Sequence, residues 1–288
     1  MTDRYAVIGN PVAHSQSPRI HTAFARALGH DVEYGTILAE PGRFADAVET
    51  FRRAGGRGLN VTVPFKLEAF AITTSCSARA TLAGAVNTLE FNGDTVIGDN
   101  TDGAGLVRDV ARRLRFPIEG ARVLLMGAGG AARGVVKPLL DERPARLAIA
   151  NRAGHKALAL AVHFARHAAT ISVRGGDYAA FQGETFDLVI NATSASLEGQ
   201  VPPLPPRIFA AGALAYDMVY GDRATRFLDF ARNRGAAQAA DGLGMLVEQA
   251  AESFLLWRGV RPETAPVLAL LRQAADSATG SVATTGAR

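Results

Sequence analysis

The stretch Arg122-Val123-Leu124-Leu125-Met126-Gly127-Ala128-Gly129-Gly130-Ala131-Ala132 places an apolar run directly before a cluster of glycines. The apolar run is typical of a buried parallel strand, and a helix with Val135, Val136 and Leu139 on its apolar face is predicted to follow. The pattern Gly-x-Gly-x-x-Ala between a strand and a helix is a dinucleotide-binding fingerprint, because the glycines let the backbone approach a pyrophosphate. The helix N-terminus supplies unpaired N–H donors for that group. A tight strand-to-helix turn without a ligand is the alternative.

The residues after the next predicted strand indicate which dinucleotide binds. A protein specific for NAD carries Asp or Glu about 20 residues beyond the glycines, where the carboxylate holds a ribose hydroxyl. Here the predicted strand 146–150 is followed by Asn151 and Arg152, with Lys156 close behind. A guanidinium can hold a 2′-phosphate through two hydrogen bonds, whereas a carboxylate would repel it. The sequence therefore favours NADP, against the alternative of a surface Arg and Lys at a helix start.

Strands and helices alternate along most of the chain. Strands are predicted over 4–9, 32–38, 58–63, 86–91, 95–99, 122–126, 146–150, 170–173, 186–190, 213–217 and 236–240. Such alternation requires mostly parallel strands with helical crossovers. With 288 residues, 48% of them hydrophobic, the chain can bury enough apolar surface for two α/β domains. A long helix after Asp241, a helix over 262–275 and a disordered tail of small and polar residues from Ser277 are predicted to follow.

One lysine follows a predicted strand near the N-terminus. Leu59, Val61 and Val63 alternate with polar residues, and Pro64 ends the strand because proline cannot donate to a ladder. Lys66 is therefore expected at the edge where ligands of open α/β sheets gather, and its ammonium could meet a substrate oxygen there. The alternative is a solvated surface lysine.

Three more polar side chains are predicted at helix starts. Ser15 and Ser17 lie at a strand-to-helix junction, with Ser17 as the N-cap and Pro18 at the first helical position. Asp102 lies at the start of another helix. The local alternatives are that Ser17 and Asp102 only cap their helices and that Ser15 is a loop hydroxyl.

Composition excludes several classes of function. The formal charge of +4 comes from dispersed residues, so nucleic-acid binding is not expected, whereas a phosphorylated small ligand fits the charge. The single cysteine, Cys76, excludes an internal disulfide framework, and no apolar run approaches the roughly 20 residues that span a membrane. His163 and His167 lack the glutamate of the zinc-protease pattern, so no metal site is predicted. A soluble cytoplasmic protein is expected.

Seven motifs together resemble those of the shikimate dehydrogenase family. They are Gly9-Asn10-Pro11 with Ser15-x-Ser17-Pro18, Asn60-Val61-Thr62-Val63-Pro64-Phe65-Lys66, Gly84-Ala85-Val86-Asn87-Thr88, Gly98-Asp99-Asn100-Thr101-Asp102-Gly103, Gly127-Ala128-Gly129-Gly130-Ala131, Tyr216-Asp217-Met218-x-Tyr220 and Asp241-Gly242-Leu243-Gly244-Met245-Leu246-Val247-x-Gln249. They follow the family's order, and the resemblance covers Tyr5 to Gln273. It implies the reduction of 3-dehydroshikimate to shikimate with NADPH, in the chorismate pathway of aromatic amino-acid biosynthesis.

The resemblance also implies an architecture. It has an N-terminal α/β substrate domain over 1–102 and a Rossmann-type NADP-binding domain over 103–240. Helices over 241–276 pack back on the first domain, before the disordered tail 277–288. The active site lies in the cleft between the two domains. The expected assembly is a monomer or a homodimer, and its partner is the small-molecule substrate.

The implied site residues fall into two sets, and no metal is among their partners. The substrate-binding set is Ser15, Ser17, Thr62, Lys66, Asn87, Asp102, Tyr220 and Gln249, of which Lys66 and Asp102 are the catalytic pair. The cofactor-binding set is Gly127, Ala128, Gly129, Gly130, Ala131, Asn151, Arg152, Lys156, Met218 and Gly242.

Two positions depart from the family's pattern. Ala153 stands where Thr often follows the Asn-Arg pair, which removes a hydroxyl from the predicted 2′-phosphate site. Ser196 stands where Gly usually follows the Asn-Ala-Thr-Ser run, which alters a loop on the nicotinamide side. Two other functions stay open, a quinate/shikimate dehydrogenase with broader substrate and cofactor choice and a non-catalytic dinucleotide-binding regulator. A regulator would not need Lys66 and Asp102 in a second domain.

Overall fold

The computed structural model describes residues 2–196, 199–221 and 225–283, the side chains of 276–283 excepted. Within these ranges the strands form two six-stranded sheets. The first sheet contains β1 (Asp3–Gly9), β2 (Val32–Leu38), β3 (Gly56–Val61), β4 (Ser75–Cys76), β5 (Thr88–Asn92) and β6 (Thr95–Asp99). Their order is β2-β1-β3-β5-β6-β4. β1 pairs in parallel with β2 and β3, whereas β5 is antiparallel to β3 and β6.

The helices of this N-terminal part are α1 (Ser17–Leu28), α2 (Phe44–Arg53), α3 (Lys66–Ala71) and α4 (Ala78–Ala83). Phe44 and Phe65 stack with ring centroids 5.0 Å apart in a core that includes Ile8 and Leu89 from the sheet. This burial anchors the chain immediately before Lys66, because Phe65 is fully buried.

The central strand ends earlier than the sequence predicted. It was expected to continue to Val63, but β3 ends at Val61. The N–H of Phe65 donates to the carbonyl oxygen of Thr62 at 3.0 Å, so the chain already turns at Thr62, before Pro64. The turn brings Lys66 to the first position of α3.

The second sheet is parallel throughout. Its strands are β7 (Arg122–Met126), β8 (Arg146–Ala150), β9 (Ser172–Gly176), β10 (Phe186–Asn191), β11 (Phe209–Asp217) and β12 (Gln238–Asp241), in the order β12-β11-β10-β7-β8-β9. Its helices are α5 (Asp102–Val107), which continues as a π-helical turn over Arg108–Arg113, α6 (Gly130–Asp141), α7 (Gly154–Ala165) and α8 (Arg226–Asn233). Read from β9, the strand order is the Rossmann order 3-2-1-4-5-6. The predicted Rossmann-type domain is therefore confirmed.

Three strands of this sheet differ from their predicted positions by more than one residue. The strand predicted over 213–217 begins earlier, because β11 covers Phe209–Asp217. The third strand was predicted over 170–173, but β9 covers Ser172–Gly176. A methyl group at Gly175 would lie 2.3 Å from the carbonyl oxygen of Ala157, so α7 crosses too close for a side chain there. Gly175 and Gly176, which lie beyond the predicted range, pair with Ile149 and Ala150 of β8. The last strand is Gln238–Asp241 rather than 236–240.

Two C-terminal helices, α9 (Leu243–Arg258) and α10 (Ala265–Ala283), return to the N-terminal part, as predicted. One apolar cluster contains Ile20 and Phe24 of α1, Val247 and Phe254 of α9, and Leu271 of α10. The last helix was predicted to end at residue 275 and to lead into a disordered tail from 277. That expectation is wrong for 277–283, which continue α10, while 284–288 lie outside the described residues. The domain boundaries at 102 and 240 stay predictions.

Candidate active site

Lys66 and Asp102 meet in the cleft between the two sheets. The Nζ atom of Lys66 lies 2.5 Å from Oδ2 of Asp102. The Lys66 side chain is 13% exposed and that of Asp102 is fully buried, so this ion pair is shielded from water. Asp102 is the first residue of α5 and its side chain caps no helix, which rules out the local capping alternative.

The second carboxylate oxygen of Asp102 is held by an amide. Nδ2 of Asn87 donates to Oδ1 of Asp102 at 3.0 Å. The orientation of that amide is set by the backbone N–H of Thr101, which donates to Oδ1 of Asn87 at 2.8 Å. The backbone N–H of Asp102 in turn donates to Oδ1 of Asn100 at 3.2 Å. A buried charge is costly unless it is paired and hydrogen-bonded, and here both carboxylate oxygens have donors.

A cavity of about 170 Å³ opens beside this ion pair. Its lining includes the whole predicted substrate-binding set, Ser15, Ser17, Thr62, Lys66, Asn87, Asp102, Tyr220 and Gln249. Gln249 reaches the cavity from α9, and its Oε1 accepts from Nδ2 of Asn87 at 2.7 Å. Hydroxyls, amides, one ammonium and one carboxylate therefore converge on a single small space, although the sequence separates them widely.

The segment between β1 and α1, which contains Ser15 and Ser17, differs in one respect from the prediction. Ser17 was expected to be the N-cap of α1, but it is the first helical residue and the N-cap residue is Gln16, without a side-chain cap. Oγ of Ser15 instead accepts from the N–H of Ser17 at 3.2 Å. The N–H of Gln16 donates to the hydroxyl of Tyr220 at 3.4 Å, and burial raises the pKa of Tyr220. Its phenol is therefore a neutral hydrogen-bonding group on the cavity wall.

A second cavity, of about 460 Å³, lies over the glycine loop. From the predicted cofactor-binding set it is lined by Gly127, Ala128, Gly129, Gly130, Ala131, Asn151 and Arg152. Gly127 has a φ of 112°, which only glycine adopts readily. A methyl group at Gly129 would meet no atom within 4 Å, so the backbone is open to the cavity there. Among the described residues, no Asp or Glu lines this cavity.

Three predicted cofactor residues lie elsewhere. Lys156 is exposed in the first turn of α7 and is absent from the lining given by the described residues. Met218 and Gly242 line the smaller cavity instead. Their backbones touch, because a methyl group at Gly242 would lie 2.2 Å from the carbonyl oxygen of Met218.

The two cavities adjoin. Both are lined by Val63, Lys66, Ala131, Ala192, Thr193 and Ser194. Lys66 thus contributes to the wall of the polar pocket and to that of the glycine-loop cavity. A ligand in one cavity would lie next to a ligand in the other, with the ammonium of Lys66 at the boundary.

Two residues that line the cavities, Asn60 and Tyr178, were not among the predicted site residues. Asn60 lines the smaller cavity; its Oδ1 accepts from the hydroxyl of Tyr34 at 2.7 Å and its Nδ2 donates to Oγ of Ser253 at 2.9 Å. The alternation along β3 already placed Asn60 on the face of Thr62, so a signal existed. Tyr178 lines the larger cavity, and burial raises its pKa to about 12. Its place just after β9 was the available signal.

Ser196, which stands where the family's pattern usually has Gly, makes a hydrogen bond to Asp217. Its Oγ donates to Oδ2 of Asp217 at 2.6 Å, and the hydroxyl of Thr225 donates to the same oxygen at 2.5 Å. Nδ2 of Asn191 and the N–H of Val219 donate to the other oxygen. Burial raises the pKa of Asp217. The serine thus fastens the loop after β10 to the end of β11.

The fold and the cleft place this chain in the class of two-domain α/β proteins with a Rossmann-type nucleotide-binding domain. The chain is 62% identical over 274 residues to shikimate dehydrogenase (NADP(+)) of Aromatoleum aromaticum, with 95% of this chain and 98% of the relative covered. A relative with the same name from Nitrosospira multiformis is 59% identical, with 96% and 100% covered. The chain belongs to the shikimate dehydrogenase family.

Family models and solved structures agree with this assignment. Residues 7–89 match the shikimate dehydrogenase substrate binding domain, 109–198 match shikimate/quinate 5-dehydrogenase, and 242–272 match the shikimate 5'-dehydrogenase C-terminal domain. An Ael1 enzyme from Pseudomonas putida has a TM-score of 0.84 at 48% identity, with 94% of this chain and 98% of that chain covered. Shikimate 5-dehydrogenase of Thermus thermophilus in complex with NADP(H) and shikimate has a TM-score of 0.82 at 32% identity, with 95% and 100% covered.

Two kinds of feature are absent from the part of the chain that the structure describes. No group of three or more His, Cys, Asp and Glu side chains is arranged to hold a metal ion. None of the helices is both long and apolar enough to cross a membrane.

Proposed function

We propose that this chain reduces 3-dehydroshikimate to shikimate with NADPH, in the chorismate pathway of aromatic amino-acid biosynthesis. The observation that carries the proposal is the position of Lys66, which is paired with Asp102 at 2.5 Å and lines both adjoining cavities. The names of the high-identity relatives, shikimate dehydrogenase (NADP(+)), support the substrate and the cofactor.

In this proposal Lys66 is the general acid. Bound NADPH supplies a hydride to the carbonyl carbon of the substrate, which develops negative charge on the carbonyl oxygen. The ammonium of Lys66 stabilises that charge and gives the oxygen a proton, a contribution of about 10² to 10⁴ in rate for a positioned acid. Asp102 holds the ammonium in place and accepts a hydrogen bond from a substrate hydroxyl. In the reverse direction the lysine takes the proton back.

The remaining polar residues bind the parts of the substrate that do not react. The hydroxyls of Ser15, Ser17 and Thr62 and the phenol of Tyr220 suit a carboxylate and hydroxyl groups. The amides of Asn87 and Gln249 offer both a donor and an acceptor. Such a wall favours a small polyhydroxy acid over an apolar ligand, since buried polar groups left unpaired cost binding free energy.

The larger cavity suits a phosphorylated dinucleotide. The open backbone at Gly129 and the N-terminus of α6 offer unpaired N–H donors to a pyrophosphate. Arg152 is exposed at the cavity wall and supplies the cation for a 2′-phosphate. The lack of a described carboxylate in the lining supports NADP rather than NAD.

The test is to mix the purified protein with NADPH and 3-dehydroshikimate and to follow the nicotinamide absorbance. Loss of absorbance that depends on 3-dehydroshikimate supports the proposal, and binding of NADPH without turnover would favour a regulator. Quinate is the second candidate substrate, because the match over 109–198 is to shikimate/quinate 5-dehydrogenase. Rates of quinate oxidation with NADP and NAD decide that question. A cytoplasmic location, a monomeric or homodimeric state and the absence of nucleic-acid binding stay predictions.

A further inference from the structure

Gly129 and Gly130 are adjacent in the glycine loop but have different surroundings. A methyl group at Gly129 would have nothing within 4 Å, whereas one at Gly130 would lie 2.8 Å from Cβ of Lys66 and 3.6 Å from its Cγ and Cδ. Carbon atoms in contact lie about 3.5 to 4.0 Å apart, so there is no room for a side chain at 130 while Lys66 keeps its place. The resemblance counts Gly130 among the cofactor glycines, but the close neighbour of its missing side chain is Lys66.

The same face of α6 approaches the other half of the ion pair. One turn further along, a methyl group at Gly134 would lie 2.5 Å from Oδ1 of Asn100, the atom that accepts from the N–H of Asp102. A methyl group at Gly103, the residue after Asp102, would lie 2.6 Å from the carbonyl oxygen of Gly134. The first two turns of α6 therefore rest against the residues that hold Lys66 and Asp102.

We propose that Gly130 is a positioning residue for Lys66, an inference that rests on the function proposed above. Its backbone N–H is still available to a pyrophosphate, while its missing side chain leaves space for the lysine. The crowded atom is Cβ of Lys66, which cannot move without shifting the start of α3. A methyl group at 130 therefore displaces the whole lysine side chain, whose Nζ must stay 2.5 Å from Asp102. Misplacement of a catalytic group by about 1 Å can cost roughly 10²-fold in rate.

The kinetic test compares Gly130→Ala with Gly129→Ala at the neighbouring position, where the methyl group has open space. Gly130→Ala should lower kcat at least about tenfold at saturating NADPH and 3-dehydroshikimate, with the Kd for NADPH within about twofold of wild type. Gly129→Ala should act mainly on NADPH binding and raise its Kd. If Gly130→Ala instead raises the Kd and keeps kcat, Gly130 is an ordinary cofactor glycine and the inference is overturned.

A second measurement does not depend on turnover. This measurement is a double-mutant cycle with Lys66→Gly, a substitution that removes the crowded Cβ. Gly130→Ala should lower Tm clearly when Lys66 is present. In the Lys66→Gly background it should lower Tm by less than half as much. NADPH binding shows that each variant is folded. If Tm falls equally in the two backgrounds, Lys66 does not limit the space at position 130. The inference is then overturned even if the wild type is an active dehydrogenase. A wild type that is inactive with 3-dehydroshikimate would instead contradict the proposed function and leave the cycle interpretable.

Discussion

Oγ of Ser15 accepts a hydrogen bond from the backbone N–H of Ser17 at 3.2 Å. The hydroxyl of Ser15, and not that of Ser17, therefore satisfies an N–H at the beginning of α1. Ser17 is only 6% exposed and lines the smaller cavity, but its hydroxyl caps nothing. Both serines line the smaller cavity, but only the hydroxyl of Ser15 also holds the start of α1.

The two serines can be distinguished by substitution. Ser17→Ala should raise the KM for shikimate by roughly 5- to 150-fold, as expected for about 1 to 3 kcal/mol from a lost hydrogen bond, with a smaller change in kcat. Its Tm should fall less than that of Ser15→Ala. Ser77→Ala is a matched control, because Oγ of Ser77 accepts from the N–H of Ala80 at the start of α4. It should lower Tm and leave KM unchanged. An unchanged KM with a lower Tm for Ser17→Ala would restore the capping account.

Lys66→Ala should lower kcat by about 10² to 10⁴, because the developing alkoxide loses its proton donor. Steady-state rates at saturating substrate, together with NADPH binding, measure the effect. The Kd for NADPH should change little. Lys137→Ala removes a lysine that pairs with Asp141 on the outer part of α6 and serves as the control. A Lys66→Ala variant with near-wild-type kcat and weaker shikimate binding would make Lys66 a binding residue only.

Arg152→Ala should raise the KM for NADP about ten- to a hundredfold and hardly affect NAD, because a charge-assisted hydrogen bond is worth about 1.5 to 3 kcal/mol. The measurement is kcat/KM for both cofactors in wild type and variant. Lys156→Ala should raise the KM for NADP less, since the described lining of the larger cavity does not include Lys156. Ala153→Thr should sharpen the preference for NADP. An equal fall for both cofactors in Arg152→Ala would mean that Arg152 does not read the phosphate.

His21 predicts a pH dependence of stability. Its ring is 1% exposed and stacks on Tyr34 with centroids 4.3 Å apart, and burial lowers its pKa to about 3. Between pH 6.5 and 3 the unfolded chain binds the proton that the folded chain rejects, so stability falls as pH falls through this range. From pH 7 to pH 5 the wild type should lose about 2 kcal/mol more than His21→Phe, as measured by urea unfolding. His167→Phe, on the surface, is the control. Equal losses in wild type and His21→Phe would contradict the prediction.

The local sequence pattern was sufficient to predict the strand, the turn and the helix start around the glycine loop. The run 122–132 contains a strand, a turn and a helix start in consecutive residues, and the structure has β7 and α6 there. The ion pair of Lys66 and Asp102 is different. Its members are 36 residues apart and meet only through the packing of β3, β5 and β6, which no spacing rule contains. The pair was proposed because the motifs resemble a family, and its catalytic role stays a prediction.

The errors at the ends of the strands have physical reasons. β3 ends early because the chain turns at Thr62, whereas the extent of β9 depends on how closely α7 approaches it, and sequence patterns do not contain such distances. Glycine usually weakens strands, but β9 continues through Gly175 because the backbone of α7 leaves no room for a side chain there. The continuation of α10 to Ala283 likewise contradicts what its small and polar residues suggested.

The apolar stripe of α1 has a consequence for biosynthesis. Ile20 and Phe24 are covered by Val247, Phe254 and Leu271, which are synthesised after the Rossmann sheet. A ribosome-bound chain that has already completed the Rossmann sheet therefore still exposes this stripe to water, because its covering helices are not yet made. Gln249 of the polar pocket arrives at the same late stage. The contacts of α1 are thus completed only after the Rossmann sheet has been synthesised, and nascent chains stalled before residue 243 should be clients for chaperones that hold apolar surface.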